Sequence, residues 1–476
     1  MKKLILIEKT VLFTRIAVVL EDELIATYME SNLNPSNQNK VIIGQIDKVV
    51  KNLNAVFVDY EADKKGLLHV SQIPAQYQGK ICQGTRLPVQ IVKQNEGEKG
   101  NKLTAKISLK GKHLICLPFE TGVSVSKKIT NKSQRNSFKQ LLNEISGNKY
   151  GFIVRTHAEH ISIEDIKEDA LYLINKVNKL MQIKDNLSRG SVLYEEFPIA
   201  LQIVIENVKI HEEIQIICDD SEITERLKGV FEQYGQEDYP VDIKYFEQRE
   251  DLYQIYDISK EISMLTSRKI WLKNGGNIII DYTEALTVID VNSAKAVMTH
   301  NHRKAVLELN RLAVKESLLQ IMRRNLSGII ILDLIEMPHK EDKEEIYVYA
   351  KQLLNQLQDK RTVLFPLTEL GLMQLARSKK YTSIPTKIFA PYKSSEYFAG
   401  DYHLEYYGYL IETKIKYAAH KTINKQVSIE CSEEIHQFFA CHKLKEALEN
   451  KYGIKIEFVK LQKELKNKFI CQYYEG

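Results

Sequence analysis

The hydrophobic residues of this chain recur at two spacings, one typical of β-strands and the other of α-helices. Residues 1–35 alternate apolar and polar positions, and residues 41–111 contain several short apolar runs separated by turn residues. Short strands with a turn after roughly every 8–12 residues predict a small barrel. From residue 277 onward, apolar runs of strand length alternate with longer helical patterns. That alternation predicts an α/β unit.

Helical spacing predicts several helices, of which three are long. A helix over residues 163–186 is expected to bury a stripe formed by Leu171, Ile174, Val177 and Met181. The segment that begins HRKAVLELNRL is expected to end near Gly328 and to turn inward Leu309, Leu312, Ala313 and Leu319. A third helix is predicted over residues 340–358.

Composition narrows the class of protein. A chain of 476 residues has room for roughly three domains, and a hydrophobic content of 44% is that of a globular protein. Lys and Arg outnumber Asp and Glu by only 67 to 62, so net charge alone does not indicate nucleic acid. The six cysteines form no C-x-x-C pair, and the N-terminal apolar stretch is too short for a secretory signal. We therefore expect a cytoplasmic protein without a membrane span.

Two aspartates stand at the ends of apolar runs. The run TVIDVN contains Asp290 and Asn292, and the run IIILD ends at Asp333. Side chains alternate along a strand, so Asp290 and Asn292 are expected on one face. Ligands of α/β sheets bind beyond the carboxyl ends of the strands, where these oxygen donors suit magnesium. Such an ion could activate water for attack on a phosphate. The alternative is a turn or helix-capping role for each aspartate.

Longer motifs around these residues resemble the ribonuclease E/G family. They are EALTVIDVNSAKA, GIIILDLIEM, GGNIIIDYTEAL and LTELGLMQLAR, and the similarity runs from residue 36 to residue 380. The resemblance implies that Asp290 and Asp333 are the catalytic, metal-binding aspartates and that Asn292 is the asparagine that accompanies them. It also implies an endoribonuclease that uses magnesium (Mg2+) to cleave single-stranded RNA. The products would carry a 5′-phosphate and a 3′-hydroxyl, and the role would be rRNA processing or mRNA decay.

The family's architecture implies the fold class. We expect an α+β and α/β multidomain protein. Its parts would be an RNase H-like subdomain with an inserted OB-fold barrel and 5′-sensor, a DNase I-like catalytic subdomain and a small C-terminal α+β domain. In the same order, the expected boundaries are 1–35 with 200–265, 36–113, 114–199, 266–380 and 406–476, with a linker at 381–405.

The resemblance also assigns residues that hold RNA. Phe57 matches the family's base-stacking phenylalanine, and Leu67 stands where the family has a second aromatic residue. An aliphatic side chain offers no π face, so Leu67 is expected to weaken binding. Lys99 matches an RNA-contacting lysine, and Lys295 a basic position after the asparagine. From the residues alone, Phe57 is better interpreted as a core aromatic and Lys99 as a solvated loop charge.

Arg155 and Thr156, in the sequence IVRT, resemble the family's 5′-end sensor. A guanidinium fork can grip a terminal monophosphate, and the threonine hydroxyl can add a hydrogen bond. The structural alternative is an ion pair of Arg155 with Glu159 or Glu164. A further candidate phosphate contact consists of Arg377, Lys379 and Lys380.

The chain departs from the family at its zinc site. Two chains of the family share one zinc through a C-P-x-C motif, which is absent from residues 380–410. Cys431 and Cys441 do not supply the spacing. Zinc and a zinc-linked tetramer are therefore not expected, whereas a homodimer stays open. The expected partner is single-stranded RNA, and the chain resembles a compact, ribonuclease G-like member.

Three functions compete on these residues. A magnesium-dependent endoribonuclease is favoured by the complete set of Asp290, Asn292 and Asp333. The alternative is a non-catalytic RNA-binding or ribosome-maturation factor that retains the fold, for which Leu67 and the missing zinc motif leave room. An unrelated α/β metal hydrolase fits the barrel and the IVRT segment less well.

Overall fold

A computed structural model describes residues 2–35, 37–93, 100–127, 129–155, 158, 161–195, 198–208, 212–234, 240–247, 251–283, 285–293, 302–390, 402–421, 426–460 and 469–473. The chain divides into two compact units. The first comprises residues 1–35 and 199–476, and the second residues 36–198.

The strands follow one another along the chain with these bounds: β1 (Lys3–Lys9), β2 (Phe13–Leu20), β3 (Glu23–Ser31), β4 (Val41–Val50), β5 (Ala55–Asp59), β6 (Gly66–His69), β7 (Arg86–Lys93), β8 (Lys102–Thr104), β9 (Leu109–Lys110), β10 (Leu114–Leu117), β11 (Val123–Val125), β12 (Gly151–Val154), β13 (Val192–Tyr194), β14 (Ile214–Cys218), β15 (Val241–Tyr245), β16 (Lys269–Trp271), β17 (Asn277–Tyr282), β18 (Leu286–Asn292), β19 (Gly328–Asp333), β20 (Thr362–Leu364), β21 (Leu372–Arg377), β22 (Gln426–Cys431), β23 (Lys455–Lys460) and β24 (Phe469–Tyr473).

The helices have these bounds: α1 (Ala75–Gln78), α2 (Lys132–Ser146), α3 (Ile163–Ile183), α4 (Ile199–Asn207), α5 (Ser221–Tyr234), α6 (Leu252–Ile255), α7 (Ser259–Met264), α8 (His302–Arg323), α9 (Lys340–Gln356), α10 (Ile384–Ile388), α11 (Leu404–Lys421), α12 (Glu433–Cys441) and α13 (Leu444–Tyr452). Short 3-10 turns occur at Lys51–Leu53, Val70–Gln72 and Lys184–Asn186.

The described residues of the first unit form three sheets. One has the order β15-β14-β1-β2-β3, and β1 pairs in parallel with β14. The second, which carries the candidate site, has the order β16-β17-β18-β19-β21-β20. The third is the small sheet β23-β22-β24. These sheets and their helices make the first unit a mixed α/β structure.

Helix α8 packs against one side of the six-stranded sheet. Its residues Leu309, Ala313 and Leu319 share a hydrophobic core with Ile289 and Leu332 of the strands. Leu312 is partly buried against the same core. The inward face predicted for this helix is therefore confirmed, and α9 lies within the predicted third helix.

The second unit contains a closed barrel. Its strands run in the order β4-β5-β6-β8-β7, and β4 also pairs with β7 to close the ring. Gly44 permits the close approach inside it, because a Cβ at this position would lie 2.4 Å from Cγ1 of Val58. The small barrel predicted from the turn spacing is confirmed, and its closure is consistent with an OB-fold. A second sheet in the described part of this unit has the order β11-β12-β10-β9.

Helix α3 buries a face that shares only Val177 with the predicted stripe. Leu171 is exposed, and the buried face consists of Ile166, Asp169, Ala170, Leu173 and Val177. The prediction was right for the helix and for Val177 but wrong for Leu171, and it missed that the buried face includes a carboxylate. Asp169 points inward to accept backbone hydrogen bonds, and an apolar periodicity cannot show that.

In the described ranges, we find no helix of the length and apolar character that a bilayer crossing requires.

Candidate active site

Asp290 and Asp333 lie side by side on adjacent strands. β18 and β19 run parallel, and their register pairs Asp290 with Asp333 and Ile289 with Leu332. Ile289 and Leu332 are fully buried in the core that α8 shares. The alternation of strand residues therefore turns both aspartates to the opposite side of the sheet, which we call the carboxylate face. Adjacent strands are about 4.8 Å apart, so one ion can reach both carboxylates.

Asn292 lies on the carboxylate face next to Asp290. Its Nδ2 donates a hydrogen bond to Oδ2 of Asp290 at 2.8 Å. Asp290 is half-buried and Asp333 is exposed. Among the residues that the structure describes, neither carboxylate forms an ion pair with a Lys, Arg or His side chain. The face therefore presents two carboxylates to solvent, one of them oriented by an amide.

This arrangement fits a divalent cation. Like charges directly opposite each other on neighbouring strands are destabilising, and a bound cation would offset that repulsion. Magnesium takes only one or two protein carboxylates and keeps several waters. No group of three or more His, Cys, Asp or Glu side chains within the described ranges could hold a metal ion. Asp290 and Asp333 would therefore supply two ligands to a metal ion, and water or substrate would fill its remaining coordination positions.

The barrel places Phe57 and Leu67 side by side. They are paired in register between β5 and β6, and both are half-buried. The neighbouring residues Val56, Val58 and Leu68 fill the barrel core. Phe57 and Leu67 therefore point outward, so the core interpretation of Phe57 does not hold.

Two lysines that sequence reasoning missed extend this row. Lys48 pairs with Phe57 across β4 and β5, and Lys102 pairs with Leu67 across β6 and β8. Both lysines are exposed. Cations on either side of an aromatic surface are the arrangement that tracks a nucleic-acid backbone. Their strand positions could have shown that they point outward, but not that barrel closure brings them into one row.

Arg155 follows β12 and lies against the turn before β10. Its backbone N–H donates to the carbonyl of His113 at 3.0 Å, and its Nη1 lies 3.5 Å from the carbonyl oxygen of Lys112. The side chain is half-buried. Among the described residues no ion pair joins it to Glu164, and Glu159 lies outside them. The guanidinium is thus held near a backbone turn and not by the predicted carboxylate at 164.

Asp169 fixes that turn. Its carboxylate accepts the backbone N–H groups of Lys112, His113 and Leu114 at 3.0, 2.7 and 2.9 Å. Burial raises the pKa of Asp169, and the three N–H donors oppose that rise. The same turn supplies the carbonyls of Lys112 and His113, which lie against Arg155. Sequence reasoning missed this carboxylate, whose only signal is its place in an amphipathic helix.

Three predicted site residues, Lys99, Thr156 and Lys295, lie outside the described residues. The prediction that Arg377 contacts phosphate is wrong. Arg377 is only 3% exposed, pairs with Asp359 at 2.8 Å and donates to the carbonyl of Leu326. The side chain is therefore part of the interior of the unit. A buried guanidinium is stable only when it is paired and hydrogen-bonded, as Arg377 is by Asp359 and the carbonyl of Leu326.

Comparison with known proteins gives one family. The model of the ribonuclease E/G family matches residues 108–380, more than half of the chain. Ribonuclease G of Escherichia coli strain K12 is 29% identical over 388 residues, which cover 78% of each chain. Ribonuclease G of Salmonella typhimurium gives the same figures. Ribonuclease E of Nostoc sp. strain PCC 7120 is 29% identical over 356 residues, 72% of this chain and 51% of the relative. The predicted resemblance is confirmed: the chain belongs to the ribonuclease E/G family.

Proposed function

We propose that this chain is a metal-dependent endoribonuclease that hydrolyses single-stranded RNA at the carboxylate face. The observation that carries the proposal is the register of β18 with β19, which sets Asp290 beside Asp333 with Asn292 next to them. Relatives named ribonuclease G and ribonuclease E support the same class of reaction.

Asp290 and Asp333 would hold the metal, for which we propose magnesium (Mg2+). When bound, it would supply Lewis-acid chemistry that lowers the pKa of water and offsets charge on the phosphate. Asn292 orients Asp290 through the hydrogen bond to Oδ2 and leaves Oδ1 without that bond. Attack of water on phosphorus with departure of the 3′ oxygen leaves a 5′-phosphate and a 3′-hydroxyl. In cells this reaction would serve rRNA processing or mRNA decay.

The RNA would be held by the second unit. Phe57 would stack a base, Leu67 would pack on a neighbouring base, and Lys99 would contact the backbone. The outward row from Lys48 to Lys102 on the barrel supports this assignment. Lys295 would neutralise phosphate near the metal.

Arg155 and Thr156 would bind a 5′-monophosphate. The turn that Asp169 fixes supports a defined position for the Arg155 side chain. We also propose the family's subdomain layout: RNase H-like at 1–35 with 200–265, OB-fold at 36–113 and DNase I-like at 266–380. The 5′-sensor would occupy 114–199, and a small domain would occupy 406–476.

A cleavage assay tests the catalytic proposal. Wild type, Asp290→Asn and Asp333→Asn are incubated with a 5′-monophosphorylated, fluorescent A/U-rich single strand, with magnesium or with chelator. Loss of a metal ligand removes several kcal/mol of charge stabilisation, so each variant should cut more than about 100-fold more slowly. Chelator should stop the wild type. Asp281→Asn is the matched control, because Asp281 lies on neighbouring β17 and is already paired with Arg268. Equal cutting by all four proteins would show that the carboxylate pair is not the active site.

The second candidate function is a non-catalytic RNA-binding or ribosome-maturation factor. The observation that favours it is Leu67, which leaves one aromatic residue in the Phe57 pair. In the same assay, wild-type protein that binds the strand in magnesium but releases no product would support this function.

A further inference from the structure

The carboxylate face also carries an exposed tryptophan. Trp271 lies on β16, and 64% of it is exposed. Ile270, its neighbour, is buried in the core beneath the sheet. Alternation therefore places Trp271 and Lys269 on the same face as the aspartates. A single exposed apolar residue is ordinary, so the argument depends on where this one lies.

The register places Trp271 close to the carboxylates. Trp271 pairs with Asn277 across β16 and β17, and Asn277 pairs with Asn292 across β17 and β18. In the same way Lys269 is connected through Ile279 to Asp290. Two strand spacings amount to about 10 Å. A nucleotide held at the carboxylates would therefore have its neighbour within reach of the indole.

Trp271 and Lys269 combine the two groups that single-stranded RNA requires. The Nζ of Lys269 lies 4.1 Å from the centroid of the indole ring. An aromatic face stacks a base of any sequence, and an adjacent ammonium attracts the phosphate backbone. Trp271 and Lys269 lie two strands away from Asp290 on the same face. They are therefore suited to bind a nucleotide next to a phosphate held at the carboxylates.

We propose that Trp271 and Lys269 form a base-stacking subsite for single-stranded RNA beside the carboxylate pair. The subsite deepens the proposed function and rests on it, since it takes a nucleotide next to the one held at Asp290 and Asp333. A second copy of this chain is the other candidate occupant of the face. It is disfavoured because a protein interface here would bury two like charges, and no cationic side chain among the described residues pairs with either of them.

The first test uses the fluorescence of Trp271, which is the only tryptophan in the chain. The Asp290→Asn variant is titrated with an A/U-rich RNA whose 3′ label reports binding by anisotropy. Stacking of a base on the indole should quench the emission in step with the anisotropy. An abasic strand of the same length should bind without that quenching. Emission that stays constant while the RNA saturates the protein would overturn the subsite.

The second test measures affinity in variants. Trp271→Ala should weaken binding roughly 5- to 100-fold, the usual effect of losing one base stack. Trp271→Phe should retain most of the affinity because a ring remains. Tyr245→Ala removes a comparably exposed ring from β15 in another sheet and is the matched control, which should bind as the wild type does. Unchanged affinity in Trp271→Ala would also overturn the subsite.

The outcomes separate this inference from the proposed function. If Asp290→Asn stops cleavage but Trp271→Ala binds RNA normally, the inference fails and the proposed function stands. If wild type never cuts while RNA quenches Trp271, the nuclease proposal fails and RNA stacking on this face stands. Sedimentation of each variant detects the other occupant. A change of oligomeric state in Trp271→Ala with normal RNA affinity would assign the face to a second copy.

Discussion

Arg155 and Arg377 show that surroundings, and not residue type, determine what an arginine can bind. Both stand at the end of a strand, and both are candidate phosphate contacts in the sequence. Arg377 is almost entirely buried, pairs with Asp359 and donates to the carbonyl of Leu326. Arg155 is half-buried, and its side chain lies near the backbone carbonyl of Lys112. Long-range contacts of this kind are invisible in a strand pattern, so the sequence alone could not separate the two.

We predict that Arg155→Ala chiefly reduces the preference for a 5′-monophosphate. The variant loses the fork that would contact the phosphate but keeps the turn fixed by Asp169. The measurement is KM and kcat on matched strands with a 5′-monophosphate or a 5′-hydroxyl. KM should rise for the first strand and stay unchanged for the second. Lys149→Ala, which removes an exposed cation of the same unit, is the control. An unchanged ratio between the two strands would remove Arg155 from the sensor.

At the scale of elements, strand and helix types followed from the sequence, whereas strand partners did not. The helical spacing of apolar residues predicted α8 and α9, and the spacing of turn residues predicted the strands of the barrel. The alternation in TVIDVN put Asp290 and Asn292 on one face, where the hydrogen bond joins them. The pairing of Asp290 with Asp333 depends on the register of two strands that α8 separates in the chain. That register is set by packing in the core, which no local pattern encodes.

We predict that Leu67→Phe strengthens RNA binding. Leu67 faces outward in register with Phe57, so a phenylalanine there would add a second ring to the same row without entering the barrel core. One further base stack is worth about 1–3 kcal/mol. Affinity for a single strand, measured by anisotropy, should therefore rise roughly 5- to 100-fold. Leu53→Phe, at an exposed leucine in the turn before β5, is the control and should leave affinity unchanged. Equal affinities of Leu67→Phe and wild type would mean that this barrel row does not hold bases.

At the scale of the whole first unit, the last part of the chain packs onto the first. Leu12 and Phe13 share a hydrophobic core with Ile411 of α11. Glu412 is 1% exposed, and its carboxylate accepts the backbone N–H groups of Val11 and Leu12 at 2.6 and 3.3 Å. Residues about 400 positions apart in the sequence are therefore in direct contact, and α11 packs on the N-terminal strands of this unit.

Buried charges extend this junction. The carboxylate of Glu8 forms salt bridges with Arg15 and with Lys416, whose Nζ lies 3.2 Å from it. The guanidinium of Arg15 lies 4.6 Å from the ring centroid of Tyr253 and 4.7 Å from that of Tyr409. Truncating one partner of such a network leaves an uncompensated buried charge, which is costly. The junction is therefore where the stability of the first unit should depend on protonation.

We predict that Asp219→Asn stabilises the first unit at neutral pH and not at acid pH. Burial, with the charge of Glu8 second, raises the pKa of Asp219 to about 7, while its Oδ1 accepts the N–H of Lys9 at 2.7 Å. Since the folded pKa exceeds the unfolded one, protonation favours folding at low pH. That contribution is lost between about pH 4 and pH 7. Asparagine keeps the acceptor without the charge, so its advantage should grow with pH to at most about 4 kcal/mol. Denaturant unfolding followed by Trp271 emission measures this, because that single tryptophan lies in the same unit.

Asp242→Asn, at an exposed aspartate paired with Lys244, should show no such growth between pH 5 and 8. Parallel pH profiles for Asp219→Asn and wild type would mean that Asp219 is charged throughout this range.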